Sequence, residues 1–184
     1  MSGGAWIGIG VLGAVLVAVA WIFNRLVGDR NLVLQGYADI DVQLKRRADL
    51  VPQLVEAVKG YASHEKALLT SVAELRAAAV AAKPGIDAGR FESEKALGAQ
   101  IKQVLLLQEA YPQLKADANF RDLSAKLVDT EDQLQYARRF YNGAVKQYLN
   151  RLESFPDVLV AKLFGFQPLA FFETDDREAV KVQL

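Results

Sequence analysis

Eighteen consecutive residues, Trp6 to Phe23 (WIGIGVLGAVLVAVAWIF), carry no charge. As a helix rising 1.5 Å per residue they extend about 27 Å, close to the thickness of a hydrocarbon core. Trp6 and Trp21 bracket the run, where interfacial aromatic side chains sit. A cleaved signal peptide is the competing reading, because Ala18-Val19-Ala20 has the small-residue pattern of a cleavage site. Residues 1–5 (MSGGA) supply no basic side chain, so the positive region of such a signal is missing. The expectation is therefore a short outside N-terminus at 1–5 and a retained transmembrane helix at 6–23. Arg25, Arg30, Lys45, Arg46 and Arg47 all follow the span, which directs the N-terminus outward and the large domain to the cytoplasm. Gly10, Ala14 and Ala18 fall at four-residue spacing and would let another helix approach one face closely.

The remaining chain is long enough for one domain, and 52% hydrophobic composition is sufficient for a core. Apolar residues alternate at three and four: Val33, Tyr37, Ile40, Leu44, Val51, Leu54, Val58, Tyr61, Leu68, Val72, Leu75, Ala79 and Ala82, interrupted by Arg47 and Glu65. This predicts one coiled-coil-like rod of roughly 75 Å, kinked by Pro52 near Ala48. Pro84 and Gly85 supply a turn and Asp87 a cap. A shorter helix follows, with Phe91, Leu97, Ile101, Val104, Leu105 and Tyr111 on its seam. Asn119 is the expected N-cap of a third helix of about 36 residues, in which Phe120, Leu127, Leu134, Tyr141, Tyr148 and Phe155 recur at sevens. The fold class is thus all-α: an N-terminal transmembrane helix, then an antiparallel bundle of three long helices plus a short C-terminal helix at 31–173. A charged flexible tail is expected at 174–184.

Burial of the long third helix is best served if it runs away from the membrane. Glu65 would then lie level with Arg138, and Val33, Tyr37, Ile40 and Leu44 would form a stalk stripe that the chain leaves uncovered. An uncovered stripe predicts self-association. The same direction would carry the greasy segment FPDVLVAKLFGFQPLAFFE, residues 155–173, to the distal end. There Asp157 would cap a short helix, Gly165 would end it, and Phe164, Phe166, Phe171 and Phe172 would close the bundle end or meet a neighbouring subunit, with membrane insertion disfavoured.

Lys plus Arg and Asp plus Glu each number 22, so no basic field exists for nucleic acid, and the absence of cysteine removes thiolate chemistry. The single histidine, His64, sits between Ser63 and Glu65; consecutive helical residues point about 100° apart and form no relay. Glu131 with Asp132, and Asp39 with Asp41, lack metal-site spacing. No catalytic, cofactor or metal residues are assigned, and a hydrolase built on His64, Glu131 and Asp132 is disfavoured. Arg25, Arg30, Lys45 and Arg46 are candidate contacts to anionic lipid.

Four stretches, DIDVQLKRRADLVPQLVEAVKGYASHE, EAYPQLKADANFRDL, TEDQLQYARRFYNGAVKQY and SFPDVLVAKLFGF with a following FFE, together resemble the LemA family of small bacterial membrane proteins. The likeness runs from about Asn31 to Glu173, with Leu149 as a departure where the family pattern has asparagine. It implies a single-pass protein of the bacterial inner (plasma) membrane with an outward N-terminus and an antiparallel helical domain. One branch, MamQ, is tied to shaping intracellular membranes. The functional expectation is a non-enzymatic, homo-oligomeric scaffold in contact with membrane lipid; the alternative is an adaptor presenting a helical face to a membrane protein such as a protease or sensor.

Overall fold

The computed structural model describes residues 3–82, 85–86 and 88–172. Pro84, Asp87, Glu173 and the tail 174–184, for which a turn, a cap, the end of the domain and flexibility were expected, lie outside the described residues. The chain is all-α, with helices α1 (Gly3–Lys59), α2 (Lys66–Ala81), α3 (Ala88–Ala110), α4 (Pro112–Ala116), α5 (Ala118–Glu153) and α6 (Asp157–Leu163). The three long helices are α1, α3 and α5; α6 is the short C-terminal one. Contacts divide the chain into two compact units, Met1–Gly36 with Phe140–Phe171, and Tyr37–Arg139 with Phe172–Leu184.

In the second unit, the expected single rod is broken. Helix α1 ends at Lys59, where the amides of Tyr61 and Ala62 both donate to the Val58 carbonyl, and α2 returns alongside α1. Gly60 begins the reversal, as its weak helix propensity favours. The apolar pattern continues through the turn because both arms face one core: Val51, Leu54, Val58 and Ala62 meet Leu69, Val72 and Ala79. Burying each such valine or leucine contributes about 1.5–3 kcal/mol. Pro52 lies inside α1 without ending it. Proline leaves the carbonyl four residues earlier without its helical donor; that carbonyl belongs to Ala48, and Arg76 Nε on α2 donates to it at 3.2 Å. Helix α3 packs on α2 and adds Leu97, Ile101 and Val104 to the core, while α4 adds Leu114.

Helix α5 has the expected length, 36 residues, but its cap is Asp117 rather than Asn119. The Phe120 amide donates to Asp117 Oδ1 at 2.8 Å and Tyr61 Oη donates to Asp117 Oδ2 at 3.0 Å. Asn119, two residues later, is already helical and solvent-exposed. The Phe120 amide first, then the Tyr61 hydroxyl, hold the Asp117 pKa below its ordinary 3.8. A depressed carboxylate stabilises the fold fully above its unfolded pKa and loses that contribution as pH falls through the folded value. Acid titration of the melting temperature should therefore show a loss below pH 3.8 that is smaller in Asp117→Asn, which keeps the capping oxygen but cannot titrate. Equal acid sensitivity in both proteins would refute this assignment.

In the first unit α1 and α5 are antiparallel. Gly36 permits their close approach: an added Cβ would lie 3.1 Å from Tyr141 Cα and 3.0 Å from Phe140 Cδ1. Further along, Gln147 Nε2 donates to Asp29 Oδ1 at 2.7 Å. The end of α5 thus returns to the apolar part of α1, contrary to the expectation that it runs away from the membrane segment. The greasy tail is relocated with it. Val160 and Ala161 of α6 pack on Ile22 and Leu26, with Val19 and Phe23 beside them. Nothing in the heptad spacing encodes this direction, since apolar residues at sevens bury equally well either way along a helix axis.

Gly165 ends α6 as expected, at φ +70°. The Phe166 amide donates to the Ala161 carbonyl at 3.0 Å and the Gly165 amide to Lys162 at 3.4 Å, the paired bonds of a Schellman stop. Gly165→Ala should cost about 1–2 kcal/mol because a Cβ disfavours the left-handed conformation; a denaturation midpoint matching the parent would contradict it. Asp157 occupies the first turn of α6 rather than its cap, and the cap position is Pro156.

Candidate functional site

In the first unit, the end of the apolar run meets α5 and α6. Trp21 and Arg25 are four residues apart and so share a helix face; the Arg25 guanidinium lies 4.5 Å from the Trp21 ring centroid. The two line a groove of about 670 Å³ with Lys146, Asn150, Ser154 and Phe155. Phe23 meets the edges of Phe164 and Phe166, with centroids 4.9 and 5.6 Å away. Below this rim a charged network joins three helices: Arg151 on α5 bonds Asp29 of α1 and reaches Asp157 of α6 at 3.4 Å. The Asp29 hydrogen bond pushes the Arg151 pKa up, so the guanidinium stays charged. The chain then doubles back along α5: Tyr148 Oη donates to the Gln167 carbonyl at 3.0 Å and Tyr141 Oη to Ala170 at 2.6 Å.

The second unit contains a buried charge cluster. Arg47, an exception in the apolar seam, donates through Nη2 to both Glu94 Oε2 and the Glu94 carbonyl at 2.7 Å, and through Nη1 to Glu131 Oε2 at 3.2 Å. Arg138 approaches the other Glu131 oxygen at 3.5 Å and stacks 4.5 Å from the Phe172 centroid, with Phe172 in turn against Phe91 at 4.1 Å. Burial, partly offset by Glu131, pulls the Arg138 pKa down. Glu65, the other seam exception, lies in the turn after α1 and accepts from Tyr111 Oη at 3.3 Å, rather than pairing with Arg138.

The residues expected at the surface separate into two groups. Trp6, Gly10, Ala14, Ala18 and Trp21 are on the outside of α1, as are Arg25, Arg30, Lys45 and Arg46, although Arg46 is paired with Asp129 at 3.1 Å. The anticipated stalk stripe is not uncovered: Val33, Ile40 and Leu44 are buried within the chain. Tyr37 is half-buried and accepts from the Gly85 amide at 3.0 Å. The chain covers this stripe because α5 returns along α1, so the stripe no longer argues for self-association. Phe164 is exposed, Phe166 and Phe171 are half-buried, and Phe172 is buried. Among the described residues, no three His, Asp or Glu side chains converge as metal ligands. Glu131 is engaged by Arg47 and Arg138, whereas His64 lies in the turn beyond Lys59, about 18 Å of helix further on than Arg47. Sequence reasoning missed Asp29, Arg151, Glu94, Leu159 and Leu163. The last two carried a signal, being four apart in the helix DVLVAKL.

A sequence model of the LemA family matches residues 36–184. The chain is similar to protein LemA of Metamycoplasma hominis, 25% identical over 163 residues, covering 86% of this chain and 72% of that protein. It is also similar to magnetosome proteins MamQ 2 and MamQ 1 of Paramagnetospirillum magneticum, each 20% identical over 190 residues and covering 87% of this chain and 70% of the relative.

Proposed function

This chain belongs to the LemA family, and on that premise we propose that it is a non-enzymatic scaffold of the bacterial inner membrane, which α1 spans once, and that copies associate side by side. The observation that carries this reading is the bare outer face of α1. Trp6, Ile7, Ile9, Val11, Leu12, Val15, Leu16 and Val17 are all exposed, and a Cβ added at Gly8, Gly10 or Gly13 would meet nothing within 4 Å. A helix so apolar and uncovered requires lipid or another apolar helix around it. The similarity to magnetosome proteins is in keeping with a role in membrane organisation. The buried charges, meanwhile, are spent on joining helices, which supports a structural rather than a catalytic role.

Full-length protein extracted in mild detergent should form particles of several chains, and Gly10→Leu with Ala14→Leu should shrink them. A monodisperse monomer would defeat self-association. The adaptor reading is favoured by Val128 and Tyr136, two exposed apolar side chains on α5; one stoichiometric partner co-purifying without self-assembly would support it. Orientation is tested by protease treatment of inverted membrane vesicles, in which the helical domain should be cleaved.

A further inference from the structure

Helix α6 carries two faces. Val160 and Ala161 face inward onto Ile22 and Leu26, while Leu159 and Leu163, four residues apart, are 60% and 74% exposed. Phe155 and Phe164, just outside its ends, are 80% and 52% exposed. Four large apolar side chains therefore form one corner, a concentration that isolated surface leucines do not produce.

The depth of that corner is set by its contact with α1. Val19 packs in the same cluster as α6, and Val19 lies four residues, about 6 Å, inside the end of the apolar run at Phe23. Raising α6 clear of the bilayer would leave only Trp6 to Ala18 of the apolar run to cross it. Those thirteen residues reach about 20 Å, against a hydrocarbon core of about 30 Å. Placing Phe23 at the boundary restores about 27 Å of apolar helix and carries α6 to the lipid surface. The chemistry suits that depth: Trp21 and Phe155 both line the groove, with Arg25 and Lys146 on it as well, where lipid phosphates would meet the two cations. The Schellman bonds at Gly165 satisfy the backbone where the chain leaves the helix, as an apolar surrounding demands.

We propose that the corner formed by Phe155, Leu159, Leu163 and Phe164 inserts into the phospholipid leaflet that α1 enters at Phe23, giving the protein a second attachment to the same membrane. This rests on α1 spanning the bilayer. Two attachments fixed to one another by Ile22, Leu26, Val160 and Ala161 hold the first unit at a set angle to the membrane, which a single flexible anchor would not do.

The sequence contains no cysteine, so single cysteines can be placed at will in the full-length chain. Leu163→Cys, and Leu159→Cys on the same face, are labelled with an environment-sensitive fluorophore in vesicles of phosphatidylcholine and phosphatidylglycerol. Val11→Cys reports the span and Gln133→Cys reports water. The labels at Leu163 and Leu159 should be quenched by lipids spin-labelled near the headgroup, and aqueous iodide should quench them at least about fivefold less than at Gln133, at every protein-to-lipid ratio, as for side chains about 5–10 Å deep. Iodide access equal to that at Gln133, with Val11 still shielded, would overturn the second attachment and leave the span intact. Shielding that disappears on dilution with lipid would identify a second copy as the cover, and would overturn it equally. Iodide access at Val11 would defeat the spanning reading itself.

Discussion

Replacing Arg47 with alanine is expected to destabilise the fold by about 3–5 kcal/mol, the cost of stranding a buried charge without its partner. The stranded group is Glu94, only 3% exposed, while Glu131, at 42%, can recover water. Glu94→Ala should also be damaging but less so, because Arg47, itself 2% exposed, keeps its 3.2 Å pairing with Glu131. The double variant Arg47→Met with Glu94→Met should be closer to the parent than either alanine variant, since an apolar pair of similar volume incurs no desolvation of charge. Thermal and chemical denaturation of the full-length chain in detergent would measure this cycle. Additive losses, with the double variant worse than either single one, would mean that the two side chains do not act as a pair.

Tyr141→Ala is the second large effect, at about 3–5 kcal/mol, from removing a fully buried aromatic side chain. Tyr141 is 0% exposed, and its hydroxyl also secures the returning segment at the Ala170 carbonyl. Tyr141→Phe separates the two contributions. It keeps the ring and loses the hydrogen bond to Ala170, for about 0.5–1.5 kcal/mol. Limited proteolysis should then cut near residue 170 sooner in Tyr141→Phe while the helices stay protected. If both variants lost equal stability, the hydroxyl contact rather than ring packing would dominate.

Several elements were legible because their signals are local. The uncharged run at Trp6–Phe23 requires no knowledge of neighbours to be read as an apolar helix. The recurrence of Phe120, Leu127, Leu134, Tyr141 and Tyr148 at sevens defined α5, and each of these is buried, whereas Phe155, the sixth in the series, lies beyond the end of α5 at Glu153 and is exposed. The cap was missed by two residues: Asp117 and Asn119 are both competent caps by type, and the choice between them depends on where α4 releases the chain. Arg47 was visible as an exception in the seam, but its partner was not. Glu94 and Glu131 lie on other helices, and no spacing in one helix indicates which carboxylate on another will face it.

The sequence alone determined the all-α class, the apolar N-terminal helix, the extent of α5 and the stop at Gly165, because helix periodicity, absence of charge and glycine's access to positive φ act within a few residues. Tertiary structure alone decided that α1 reverses at Gly60, that α5 returns toward the apolar run and covers Val33, and that Phe155 and α6 sit beside Trp21 and Phe23. A heptad buries the same face whichever way its helix runs, so direction is set by contacts between distant residues such as Asp29 with Arg151 and Gly36 with Tyr141.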